Sequence, residues 1–116
     1  MQYLANGKAP RRPWIVRRSR ACGWIFAGTG LREGSSLGLG GVEIDRTFPA
    51  SPAGVEVLAE IPHLFGPGMT AQMTYYETTR GAKVFAAGAF YFTRLVHVDP
   101  LSSRVLDNLW TRMAMR

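Results

Sequence analysis

An α/β domain is the fold class this chain predicts, and two stretches carry the prediction. Gln72 to Phe92, QMTYYETTRGAKVFAAGAFYF, reads as two strands joined by a tight turn. Met73, Tyr75, Val84, Phe85 and Phe90 favour strands, and Thr79, Arg80 and Gly81 interrupt them as a turn does. The other stretch is the C-terminus, where Val105, Leu106, Leu109, Trp110 and Met113 recur at i, i+1, i+4, i+5 and i+8. That spacing predicts an amphipathic helix of about four turns lying on a sheet, with Trp110 in its core face. Thirteen glycines and seven prolines in 116 residues add that the elements are short and the turns many.

Each element follows from local signals. Residues 1–13, with Gly7, Pro10 and Pro13 among the charges, give no regular structure, and Trp14-Ile15-Val16 gives at most a short strand. Trp24-Ile25-Phe26 reads as a short apolar strand, and Ser35 to Gly41 as glycine-rich loop. Val42 to Asp45 alternates apolar and acidic residues, as an exposed strand does. In Gly54 to Ile61, Val55, Val57 and Ala59 face the core and Glu56, Leu58 and Glu60 face away; Pro62 ends the strand. Met69 to Thr78 is the next strand, and Lys83 to Phe92 follows the turn. Its small run, Ala86-Ala87-Gly88-Ala89, belongs where other backbone comes close. Phe92 to Pro100 is a loop. Asp99 or Ser102 caps the helix, with Pro100 in its first turn. One helix cannot cover both faces of such a sheet, so the chain reads as part of something larger.

The charge is uneven. Residues 1–20 hold six of the 14 basic residues and no acid, so from Ala21 onward basic and acidic residues balance. The basic start is either an arm for an anionic surface or a solvated, poorly ordered leader over residues 1–22. The ordinary behaviour of termini favours the leader. Without interleaved aromatic residues, nucleic acid is not an expected partner. Cys22 is the one cysteine, which excludes an intramolecular disulfide and suits a small buried residue in a reducing, cytoplasmic setting. No apolar run reaches the length of a membrane span. His63 and His97 stand far apart, outside any metal-ligand spacing.

Candidate chemistry is sparse. Gly28, Gly30 and Gly34 form G-x-G-x-x-x-G, which departs from the dinucleotide fingerprint; it reads as a turn-rich loop ahead of a phosphate cradle. Glu43 and Asp45, two apart on a strand, share a face and either share a site or stand as solvated charges beside Arg46. His63 either takes part in chemistry or caps its turn, the second being the commoner role. Tyr75 and Tyr76 point to opposite faces of their strand, so packing suits them better than chelation of one ion.

Three stretches taken in order, WIFAGTGL at Trp24–Leu31, GGVEID at Gly40–Asp45 and MTYYETTRGAKVFAAGAFYF at Met73–Phe92, closed by LDNLWTRM at Leu106–Met113, carry a resemblance. The chain resembles the end of the C-terminal, glutamine-amidotransferase-like domain of the N,N-dimethylformamidase large (beta) subunit family. The likeness covers Trp24 to Met113, and residues 1–22 stand outside it. It implies a partial Rossmann/flavodoxin-like sheet and the activity of an amide hydrolase on linear amides. It also implies iron held by two tyrosines and a glutamate, beside a glutamate–histidine pair. The glutamate of that pair maps onto Glu43, the candidate catalytic residue. The His-x-Glu segment and the tyrosine ligands lie upstream in the family, so Tyr75 and Tyr76 are not assigned to iron. No cofactor is then expected in this chain alone; iron belongs to a complete family domain. Residues 23–116 are expected to be the C-terminal part of such a domain, inactive by themselves. The expected partner is the remainder of the domain or an upstream chain. The other reading is a non-catalytic module that packs on a partner.

Overall fold

The computed structural model describes residues 2–3, 11–17, 22–41, 43–89, 92 and 97–115, with Gln2, Tyr3 and Glu43 described through their backbone alone. Five strands form one antiparallel sheet, curled into a half-barrel, in the order β3–β2–β5–β6–β7. They are β2 (Arg11–Val16), β3 (Ser36–Gly41), β5 (Glu56–Ile61), β6 (Ala71–Glu77) and β7 (Lys83–Ala86). A two-stranded ribbon joins β1 (Gln2–Tyr3) to β4 (Glu43–Ile44). Helix α1 (Pro100–Met113) packs on a 3-10 turn at Gly23–Phe26 and on β3.

The α/β class, the hairpin and the C-terminal amphipathic helix agree with the sequence reading. The Rossmann/flavodoxin-like sheet does not: every strand pair among the described residues is antiparallel. The connections give the reason. Parallel neighbours need a crossover of a dozen or more residues, whereas β6 turns into β7 through Thr78–Ala82. There Thr78 and Ala82 exchange bonds: Thr78 N donates to Ala82 O at 2.8 Å, and Ala82 N to the Thr78 hydroxyl at 3.0 Å.

Several local readings are corrected. The first 13 residues are not without regular structure: β1 holds Gln2–Tyr3, and β2 begins at Arg11 and sits between β3 and β5 with Trp14 and Val16 at most 1% exposed. The arginines occupy its exposed outer half. Trp24-Ile25-Phe26 is a 3-10 turn, in which Ile25 N donates to Cys22 O and Ala27 N to Trp24 O, both at 3.1 Å, and Ile25 and Phe26 are buried. Ser36–Gly41, expected as loop, is an edge strand held by β2. In β5 the alternation breaks at Leu58, which the register skips between Val57 and Ala59. The bulge buries Leu58 and Ala59 together, so Leu58 joins the core it was expected to face away from. β7 spans Lys83–Ala86; Phe90 and Tyr91 lie outside the described residues.

In β6, Ala71, Met73 and Tyr75 are buried and Gln72, Thr74 and Tyr76 half-buried, the two-residue period the sequence predicts. The buried set joins Trp14, Leu58, Ile61, Val105 and Leu109 in one core. Gly88 fulfils the expected close approach: a Cβ there would lie 2.0 Å from Gln72 O, and its φ of +79° suits glycine. The helix starts as predicted. Pro100 opens it, and the Asp99 carboxylate accepts from Leu101 N and Ser102 N, both at 3.3 Å.

The stripe of α1 is only partly the predicted one. Ser102, Val105 and Leu109 are buried, but Trp110 is 75% exposed and Leu106 and Met113 more than a third exposed. Trp110 is therefore not a core residue. The apolar arc is wider than the surface offered by the 3-10 turn and β3, and the helix docks by its Val105–Leu109 side.

Candidate functional site

Glu43, the candidate catalytic residue, lies where the two sheets meet. Its backbone pairs with Tyr3 on one side. Two residues on, Asp45 N donates to Gly88 O at 2.9 Å, and Asp45 O accepts from Gln72 N at 2.8 Å. Asp45 thus wedges between the start of β6 and the Gly88 strand end, and it ties β4 to the main sheet. Buried Ile44 anchors the same segment.

Beside this junction a cleft of about 240 Å³ opens on the polar face of β6, lined by Asp45, Thr47, Phe48, Gln72 and Tyr76. The Gln72 carboxamide organises it. Its Oε1 accepts from Thr47 N at 2.7 Å and from the Thr47 hydroxyl at 2.9 Å, while its Nε2 donates to Glu60 at 3.2 Å. Glu60 also lies 3.5 Å from the Arg17 guanidinium. The relay Arg17–Glu60–Gln72–Thr47 holds the Thr47 loop on the sheet, and its polar groups satisfy one another.

A second cleft, of about 270 Å³, lies on the helix side of β6. Tyr75 and Glu77, two apart on one strand, share a face, and the Tyr75 hydroxyl donates to Glu77 Oε1 at 2.8 Å. From the last turn of α1, Arg112 Nη2 reaches the same oxygen at 3.3 Å. The guanidinium also lies 5.4 Å from the centre of the Trp24 ring, and Trp24 meets Tyr75 edge-on at 5.2 Å. Burial first, then the hydrogen bond and charge of Glu77, push the Tyr75 hydroxyl up to about 12. The Tyr75 hydrogen bond, helped by Arg112, holds the Glu77 carboxyl below its usual range. The sequence reading missed this cluster. The Tyr75/Glu77 spacing was visible, but Arg112 stands 35 residues further on.

Other sequence candidates are structural. His63 Nδ1 accepts from Gly68 N at 3.2 Å, so the residue caps its own turn. The Gly-Thr-Gly turn is closed by Thr29, whose hydroxyl donates to Phe26 O at 2.6 Å and accepts from Leu31 N at 3.1 Å. Asn108 Nδ2 donates to Ile25 O and Ala27 O, at 2.9 and 2.8 Å. The Ala-Gly-Thr-Gly turn and the Asn-Leu pair, far apart in sequence, are thus two halves of one clasp. Gly28 leaves room there for Arg104, which a Cβ would meet at 2.8 Å. Cys22 is buried beside the second cleft. Tyr75 packs on Trp24, and Tyr76 lies on the opposite face, as their adjacency predicts.

The sequence model of the family described as N,N-dimethylformamidase beta subunit-like, C-terminal, matches residues 1–101. The chain belongs to this family. The match takes in the basic start that the resemblance had left outside, in keeping with β2 being an inner strand of the sheet. It stops near the start of α1, so Asn108 and Leu109 fall beyond it. No curated protein and no solved structure matches the chain. Among the described residues no three His, Cys, Asp or Glu side chains gather where they could hold a metal ion. No helix among the described residues is long and apolar enough to cross a membrane.

Proposed function

We propose that this chain is the C-terminal piece of a dimethylformamidase-like amide hydrolase domain and acts only together with the remainder of that domain. The family match over residues 1–101 carries the reading. In it, iron and the His-x-Glu segment belong to the upstream remainder, and this chain contributes Glu43. A carboxylate there takes a proton from the water that attacks a linear amide, or orients the histidine that does so. The anchoring of β4 by Tyr3 and Asp45 supports the assignment, because a general base needs a fixed backbone. The buried thiol of Cys22 is in keeping with a cytoplasmic setting.

The test is reconstitution. The upstream part of a family domain is supplied in trans, and hydrolysis of N,N-dimethylformamide is followed. Glu43→Gln is expected to lower turnover on the order of 10²–10⁴-fold while assembly persists. Unchanged turnover in an intact assembly sinks the catalytic role of Glu43.

The reading of the chain as a packing module draws on a separate observation, the exposed ridge of Leu106, Trp110 and Met113 on α1. Urea unfolding of the chain alone separates the two. One cooperative transition favours a self-sufficient module, and a shallow, non-cooperative change favours a domain fragment.

A further inference from the structure

We infer that the cleft on the helix side of β6 binds a small organic cation, an alkylammonium group. The cleft combines an aromatic face with two carboxylates. Trp24 supplies the face, and Tyr75 fixes that ring edge-on. Glu56 and Glu77 line the cleft with one cation, Arg112. Glu56 and Tyr75 are register partners across β5 and β6, so Glu56 lies on the same face of the sheet as Tyr75 and Glu77. Among the described residues Glu77 is paired with Arg112 and Tyr75, whereas no ion pair or hydrogen bond holds the Glu56 carboxylate. Lys83, the register partner of Glu77 on β7, directs its ammonium to Met115 O at 2.8 Å.

A cation of the chain itself already sits in the cleft. The Arg112 guanidinium sits 5.4 Å over the Trp24 ring and 3.3 Å from Glu77, the two contacts an ammonium would seek. Arg112 comes from the last turn of α1 on a long stem, with 43% of its side chain exposed. It can swing out to solvent and leave the aromatic face and both carboxylates to an incoming ion. Tyr75 holds the carboxylate in place meanwhile: its hydroxyl donates to Glu77 and stays protonated at neutral pH. The space of about 270 Å³ admits a short alkyl chain beside the indole.

The experiment titrates the full 116-residue chain with n-butylammonium chloride and follows amide and indole shifts by NMR. Sodium chloride and n-butanol at equal concentration are the controls. Saturable shifts confined to Trp24, Glu56, Tyr75 and Glu77 are expected with butylammonium alone. Glu56→Gln, which keeps size and removes charge, is expected to weaken binding about tenfold. Arg112→Gln removes the resident competitor and is expected to tighten it several-fold. The two variants move in opposite directions, which general loosening of the fold cannot produce. Equal response to n-butanol, shifts scattered over the surface, or weaker binding by Arg112→Gln would each overturn the inference.

Discussion

The two sides of helix α1 carry similar apolar content and live in opposite environments. On the inner side Val105 and Leu109 are at most 1% exposed, and Asn108 holds two carbonyls of the 3-10 turn. On the outer side Leu106, Trp110 and Met113 form a ridge at i, i+4 and i+7, with Trp110 75% exposed. Side-chain hydropathy alone does not tell these sides apart, since the outer one holds the larger residues. The difference lies in what each side can satisfy. The 3-10 turn leaves the carbonyl of buried Ile25 pointing at the helix, and a buried carbonyl without a donor is costly. Only the face bearing Asn108 supplies that donor. A polar residue thus sets the rotation of an apolar helix.

The largest loss on the inner side is expected at Leu109. Leu109→Ala leaves a cavity between α1, the 3-10 turn and the sheet, and is expected to cost about 3 kcal/mol in urea unfolding. A loss under about 1 kcal/mol would mean that the inner side is not the docked one.

How much of this was legible in the sequence differs by element. The two-residue period of β6 was visible because its inner residues are apolar and its outer ones polar, and each follows the other without a bulge. The cap of α1 was visible because Asp99-Pro100 is a local signal. β3 was hidden: Ser-Leu-Gly-Leu-Gly-Gly has little strand preference, and pairing with β2 makes the strand. β2 was hidden by its arginines, although Trp14 and Val16, two apart, marked a buried face. The wide stripe of α1 showed that the helix is amphipathic, while the buried side depended on carbonyls some 80 residues away. The junction that fixes β4 likewise depends on Gln72 and Gly88, remote from Glu43. Local patterns carried the elements, and contacts between distant segments carried the candidate sites.

A smaller loss is expected at Asn108. Asn108→Ala raises helix propensity by about 0.5 kcal/mol and deletes the Asn108 donor to Ile25 O and Ala27 O. The expected loss is about 1–2 kcal/mol, the cost of leaving the Ile25 carbonyl without a partner, since Ala27 O also accepts from Arg104 Nε at 3.4 Å. Amide exchange should quicken over Gly23–Leu31 more than over β6, because the clasp holds the turn and not the sheet. Equal quickening everywhere would mean that Asn108 acts through global stability alone. Asn108→Asp is the harsher variant, since it places a carboxylate against two carbonyl oxygens.

The smallest effect belongs to the largest side chain. Trp110→Ala is expected to change the stability of the isolated chain by less than about 0.5 kcal/mol, the range of exposed positions away from special features. A packed tryptophan would instead cost roughly 3–5 kcal/mol. The reconstitution proposed above adds the decisive half of this measurement. If the ridge of Leu106, Trp110 and Met113 meets the rest of the domain, the same substitution weakens assembly strongly, because an aromatic side chain at the centre of an interface often dominates binding. A variant neutral in both settings would leave the ridge a plain solvent face. One neutral alone and damaging in the assembly would show that the outer side of α1 is the inner side of a larger molecule.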